Sequence, residues 1–209
     1  MGRPREHGSA TYDALLAVAG TILGSDGVDA LTVRRVAESA GTTTRAVYTL
    51  FGDKNGLLRA LFRQMAEVMR RHHEGVPEMD DPFEEIQRLA AAYRAAAREQ
   101  PNLYDYYYRC MAPDGVITED DVSLAFRSFD RVLRTLHRIV ASGAFGARTE
   151  EQTGRQLWAL VHGLAAIELR GFLGSSEEAC RRAWRSAVAA ILIGFQQPEP
   201  ADPDAMIAA

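Results

Sequence analysis

Apolar residues recur along this chain at spacings of three and four, and no segment alternates with period two for long. That pattern predicts successive α-helices, each with one buried face, and no sheet. The first helix is predicted over 11–24, with Leu15, Leu16, Val18, Ala19, Ile22 and Leu23 on its apolar side. Thr11 is its candidate cap, and Gly24-Ser25-Asp26-Gly27 is expected to break it. Thr32 then caps a short helix with Val33, Val36, Ala37 and Ala40 on one face, and Gly41 stops it. Thr42 and Thr43 are the next candidate caps. A second short helix follows, with Ala46, Val47, Leu50 and Phe51 inward and Thr43, Thr44, Arg45, Tyr48 and Thr49 outward. Helix, glycine turn and short polar-faced helix make a helix-turn-helix pattern.

A longer helix over 57–73 carries Leu58, Leu61, Phe62, Met65 and Met69 on one side. Gly75-Val76-Pro77 and Asp80-Asp81-Pro82 mark a boundary. Further helices are predicted over 83–99, 102–111, 118–141, 149–173 and 177–195. The fold class is therefore all-α, with a three-helix amino-terminal domain followed by a larger helical domain. The expected division is a flexible basic arm over 1–9 and a reading domain over 10–74, whose linking helix covers 55–73. A helical domain over 75–195 and a disordered tail over 196–209 complete it. Arg3 and Arg5 make the arm a candidate for the minor groove, with a frayed terminus as the alternative.

Charge changes the picture by its distribution. The formal net charge is -4. Residues 1–73 hold ten Lys and Arg against seven Asp and Glu, or +3, and the remainder 14 against 21, or -7. The basic third is the end suited to a polyanion. Hydrophobic residues make 47%, which excludes disorder as the default. Cys110 and Cys180 form neither a disulfide framework nor metal-ligand spacing, and read as free thiols in a reducing cytoplasm, with a redox pair as the alternative. No apolar run reaches the ~18 residues that a membrane span needs. No nucleophile elbow, phosphate-cradling glycine loop or His-Glu-x-x-His is present, so no catalytic site, metal or cofactor is expected. His72-His73-Glu74 does not suit one metal, because adjacent helical residues point about 100° apart.

The outward face of the second short helix has the chemistry of a groove reader. Threonine and tyrosine hydroxyls bond phosphate oxygens, and arginine reads guanine or phosphate. Thr32, Arg34, Arg35, Thr42, Thr43, Thr44, Arg45, Tyr48, Thr49 and Lys54 form the DNA-facing set.

Residues 10–73 resemble the DNA-binding domain of the tetracycline-repressor (TetR) family of bacterial regulators. Gly27, Leu31, Thr32, Val36, Ala37, Ala40-Gly41, Val47-Tyr48, Phe51, Lys54 and Leu57-Leu58 carry the resemblance. The pattern implies base-edge roles for Arg34, Thr44 and Arg45, and phosphate roles for Thr32, Tyr48 and Lys54. Asn55-Gly56 departs from the family, which often has an acidic residue after the lysine. Gly56 is expected to weaken the next helix by up to about 1 kcal/mol relative to alanine.

The resemblance also implies a helical ligand-binding and dimerisation domain. Tyr104, Tyr107, Tyr108 and Met111 share a helix side and suit an apolar or aromatic effector, with core packing as the alternative. Leu89, Tyr93, Phe126, Phe129, Trp158 and His162 complete the expected pocket. Trp158, His162 and Gly163 resemble the tryptophan–histidine–glycine signature of one group of TetR-type carboxy-terminal domains. His162 is either a ligand donor or a satisfied core histidine. Glu168 stands in an apolar stretch and needs a partner, for which Arg170 or a neighbouring subunit is available. Ala183, Trp184, Ala187, Val188, Ile191 and Phe195 are the expected homodimer face. The family builds its dimer from the last two long helices of each subunit. The expected function is a cytoplasmic repressor that binds a palindromic double-stranded operator as a homodimer and answers to a small molecule. An effectorless DNA-binding protein, and less so an all-α carrier or enzyme, are the alternatives.

Overall fold

The computed structural model describes residues 4–110 and 116–198, and among them the chain is helical throughout, with no strand. Ten helices follow in order: α1 (Pro4–Ala30), α2 (Val33–Ser39), α3 (Thr44–Phe51), α4 (Lys54–Glu74), α5 (Pro82–Glu99), α6 (Pro101–Arg109), α7 (Glu119–Arg127), α8 (Asp130–Ala141), α9 (Glu150–Leu169) and α10 (Glu177–Gln196). They form two compact units, Met1–Arg71 with Ala96–Ser128, and His72–Ala95 with Phe129–Ala209. Met111, Arg3 and the tail beyond 198 lie outside the described residues, as does the side chain of Arg5.

In the first unit, Leu15, Leu16, Ala19, Ile22 and Leu23 of α1 are buried, as are Val36, Ala37, Val47, Phe51 and the Leu57, Leu58, Leu61 and Phe62 row of α4. Two expectations change here. Helix α1 begins at Pro4, so residues 4–9 are a helical lead-in rather than an irregular arm. It also runs past the expected break at Gly24 to Ala30, with only Gly27 non-helical at φ 80°. Gly24 serves a close approach instead: a Cβ there would lie 2.0 Å from Asn102 Cγ of α6. Within the continued helix the Ser25 hydroxyl donates to the Thr21 carbonyl at 3.1 Å. On α6, Leu103, Tyr104, Tyr106 and Tyr107 are buried, and Tyr107 stacks on Phe62 with centroids 4.7 Å apart.

The single helix expected over 118–141 is two. Ser128 folds its hydroxyl onto the Ala125 carbonyl at 2.6 Å, and its N–H bonds the same carbonyl, so the last turn of α7 tightens and closes. Phe129, at φ −102° and ψ 0°, then leads into α8. Helix α9 stops four residues short of the expected 173. Gly171 at φ 79° donates to Glu168 O, and the Phe172 N–H reaches back to Ile167 O at 2.9 Å. That pair is a Schellman motif, which satisfies the last carbonyls and ends the helix.

The second unit encloses two buried ion networks. Glu85, fully buried, accepts from the Thr135 hydroxyl at 2.7 Å, from the Met79 N–H at 3.0 Å and from Arg138 at 2.8 Å, and pairs with Arg131 at 2.7 Å. Burial works against its charge, but these donors outweigh it and hold the carboxyl below its ordinary range. Glu168 accepts from Arg94 Nε through both oxygens, at 3.0 and 2.8 Å, and from the Trp184 indole N–H at 2.6 Å. Arg94 from α5 is thus a partner for it, and the Arg170 guanidinium bonds the Ala166 carbonyl at 2.9 Å. Arg94 also meets Glu177 at 3.0 Å, and these carboxylates raise its pKa. Tyr93 is ringed by His73, Phe129 and Trp184, with centroids 6.3 to 6.4 Å away.

Candidate nucleic-acid interface

Threonine hydroxyls start both short helices. Thr32 Oγ accepts from the Arg35 N–H at 3.2 Å, and Thr43 Oγ from the Ala46 N–H at 3.3 Å. Each hydroxyl keeps its own proton, so both remain able to donate to a phosphate. The turn between the helices is again a Schellman motif. Gly41, at φ 63°, donates to Glu38 O, and the Thr42 N–H to Ala37 O.

That turn fixes the aspect of α3. Val47 and Phe51 point into the unit, and Phe51 stacks on Tyr12 at 4.8 Å. Thr43, Thr44, Arg45, Tyr48 and Thr49 are exposed, with Tyr48 at 54%, and Thr42 is half-buried. An apolar back with an exposed guanidinium, a phenol and hydroxyls on one short helix is a surface that can lie in a major groove. Thr49 donates to the Arg45 carbonyl at 2.8 Å, so it meets DNA as an acceptor or through its methyl.

Three of the four predicted cations are already engaged. Arg34 pairs with Glu38 at 2.7 Å and Arg35 with Asp26 at 2.5 Å. Lys54, the single lysine of the chain, donates to Val28 O at 2.9 Å and is half-buried. It therefore fastens α4 to the end of α1. Gly56 lies against the Phe51 carbonyl, where a Cβ would come within 1.7 Å of the oxygen, and its N–H reaches Asp53 Oδ1 at 2.6 Å. The expected cost of this glycine is reversed, since only glycine lets the start of α4 close on the end of α3. Sequence reading missed Asp26, Glu38 and Gly56 in these roles. The Asp26–Arg35 and Gly56–Phe51 contacts join separate elements, and no local spacing announces them.

The expected effector residues fall in both units. Tyr104, Tyr107, half-buried Tyr108 and exposed Phe126 belong to the first. Leu89, Tyr93, Phe129, Trp158 and His162 belong to the second. Leu89 and Tyr93 are buried, and Trp158 and His162 are half-buried on one face of α9 with ring centroids 6.4 Å apart. A groove of about 490 Å³ in the second unit has other walls: Gln87, Ala90, Ala91 and Arg94 from α5, and Glu178, Arg181, Trp184, Arg185 and Val188 from α10. Of the expected dimer face, Trp184, Val188 and Phe195 are buried within the chain, because they fill its own core; Ala183, Ala187 and Ile191 are half-buried. Accessible instead are Ala159, Gly163 and Ile167 on α9, and Ala190, Ile193 and Gly194 on α10. Cys110 and Cys180 form no disulfide among the described residues. No helix among the described residues is long and apolar enough to cross a membrane.

Residues 15–61 match the family model described as bacterial regulatory proteins, tetR family. Residues 86–191 match the tetracyclin repressor-like C-terminal domain, a description that does not specify a tryptophan–histidine–glycine type. No curated protein matches the sequence. Among solved structures, a protein of unknown function from Rhodococcus sp. RHA1 is similar at 26% identity and a TM-score of 0.73, covering 90% of this chain and 96% of that one. A TetR family transcription regulator from Marinobacter aquaeolei VT8 is similar at 19% identity and TM-score 0.74, over 89% and 97% of the two chains. The TetR family transcriptional regulator PfmR from Thermus thermophilus is similar at 20% identity and TM-score 0.69, over 88% and 99%.

Proposed function

The chain belongs to the TetR family of DNA-binding transcription regulators, and on that premise we propose that it is a cytoplasmic repressor, bound to a palindromic operator as a homodimer and released by a small molecule. The observation that carries this reading is the division of α3 into a buried Val47–Phe51 side and an exposed Thr44, Arg45 and Tyr48 side. Arg45 and Thr44 read base edges, with Arg34 once it leaves Glu38. Thr32, Thr43 and Tyr48 hold phosphates. Lys54 acts on DNA chiefly by setting where α3 stands, through its bond to Val28.

One such helix covers too few base pairs for useful specificity, and a two-fold pair reads a palindrome. The accessible small and apolar residues of α9 and α10 support pairing through those helices. Ile167 and Ile193 are 43% and 58% exposed, and Ala159, Gly163, Ala190 and Gly194 beside them allow close helix approach. The groove walled by α5 and α10 gives a small molecule an apolar floor of Ala90, Trp184 and Val188 under a polar rim. A ligand that binds one arrangement of the dimer better than another shifts the balance by its differential affinity. A coupling of about 1–3 kcal/mol lowers operator affinity about 5–150-fold.

Selection of bound fragments from random duplex DNA tests the reading. A palindromic consensus is the expected result, and Arg45→Ala should relax base choice at one position in each half-site by about 1–3 kcal/mol. Recovery of no consensus, or equal loss on every sequence, would remove the proposed reading role of α3. Quenching of Trp184 by a panel of amphipathic ligands, in a Trp158→Phe background, tests the effector half.

A further inference from the structure

The cations around the helix-turn-helix are not equivalent. Arg45 stands on α3 with no ion-pair partner among the described residues, whereas Arg35 is held by Asp26. The Asp26–Arg35 pair is not a product of helical spacing. Its members are nine residues apart, one before the Gly27 kink of α1 and the other in the first turn of α2. The Arg35 N–H is simultaneously fixed by the Thr32 cap, so its side chain starts from a set backbone position. Both side chains are nearly half exposed, at 45% and 41%, so the pair sits where solvent, and a phosphate, can compete for the guanidinium.

We propose that Asp26 is a positioning residue for DNA binding: it holds the Arg35 guanidinium in an internal ion pair and so withholds one phosphate contact from the sequence-independent part of the affinity. The inference rests on the DNA-reading role proposed for this unit. The physical reason is that phosphate neutralisation by arginine strengthens binding to every duplex alike. A carboxylate that already neutralises the guanidinium lowers the return from meeting a phosphate, and its own charge repels the backbone. Binding to arbitrary DNA is therefore weaker than the arginine count of this unit suggests, and base contacts from α3 carry a larger share of the total. Glu38 acts on Arg34 in the same sense but less firmly, since that pair lies within one helix and is 64–83% exposed.

The test uses the full chain and a random-sequence duplex of about 30 base pairs, followed by fluorescence anisotropy at several sodium chloride concentrations. Asp26→Asn should bind about threefold to tenfold more tightly at about 0.1 M salt, and its slope of log affinity against log salt should steepen by about 0.9, one phosphate's worth. Arg35→Ala added to Asp26→Asn should cancel both gains, while Arg35→Ala alone should change the slope little. Asp26→Ser serves as a second neutral variant, and urea midpoints establish that each is folded. An unchanged slope in both neutral variants would overturn the proposal. So would a gain that survives Arg35→Ala, because the effect would then be loss of a repelling charge without release of Arg35. Failure of the unmodified protein to bind any duplex would sink the DNA-reading role itself, which these outcomes do not touch.

Discussion

Gly56 stands where the chain leaves no room for a side chain, and its neighbour in space is a backbone carbonyl rather than a movable atom. Gly56→Ala should therefore destabilise the protein by about 1–3 kcal/mol, although alanine is the better helix former. A lowered urea midpoint at unchanged slope is the expected reading, and a raised midpoint would show that helix propensity wins. Glu85 gives a larger effect in the other unit. Two arginines and a threonine hydroxyl converge on its buried carboxylate. Glu85→Ala should cost about 3–5 kcal/mol by leaving cations without their counter-charge. At this scale the sequence was a partial guide. The need of Glu168 for a counter-ion was evident from its apolar surroundings, but Arg94 lies 74 residues away and nothing local points to it. The inward Val47 and Phe51 and outward Arg45 and Tyr48 were legible, because a period of about 3.6 assigns them directly.

Helix α9 carries His162 half-buried, and burial, with Arg170 adding to it, lowers the imidazole pKa from its ordinary 6.5. The sign follows from proton counting. Below pH 6.5 the unfolded chain binds a proton that the folded helix resists, so stability falls as pH drops from 6.5 through the lowered value. The melting temperature should decline over that window, and His162→Gln should flatten the decline. A melting temperature that rises on acidification would mean that the ring gains a partner for its charged form. Helix identities were legible from period alone, while several helix ends were not. Thr32, Thr43, Thr118, Thr149 and Ser176 cap their helices by hydrogen bonds that short motifs encode. The break between α7 and α8 depends on a serine turning onto its own helix, and glycine at 24 reads as a stop until α6 is seen beside it.

Across the whole molecule, charge and apolar surface divide the labour proposed here. The +3 of residues 1–73 is local to the amino-terminal helices, because residues 96–128 of the same compact unit add three arginines against six acids. Ile193→Asp on the accessible side of α10 should convert a dimer to a monomer in sedimentation, with melting of the isolated chain little changed. A dimer that survives would place the subunit contact elsewhere. All-helical class and the reading motif were legible in the sequence, since both are local patterns repeated over many residues. Which residues of α10 stay exposed was not, because its apolar band serves the chain's own core, and burial decides which residues are left over.

Lys54 has a practical consequence. It carries the only side-chain amine in the protein, and that amine grips the end of α1 beside the reading motif. Amine-reactive dyes and sensor chips would leave the acidic helices untouched and concentrate on this spot and the chain's amino terminus. An immobilised sample would then be anchored by the end that should face the duplex. A tag introduced through a new cysteine far from α3, with Cys110 and Cys180 replaced by serine, is the safer handle.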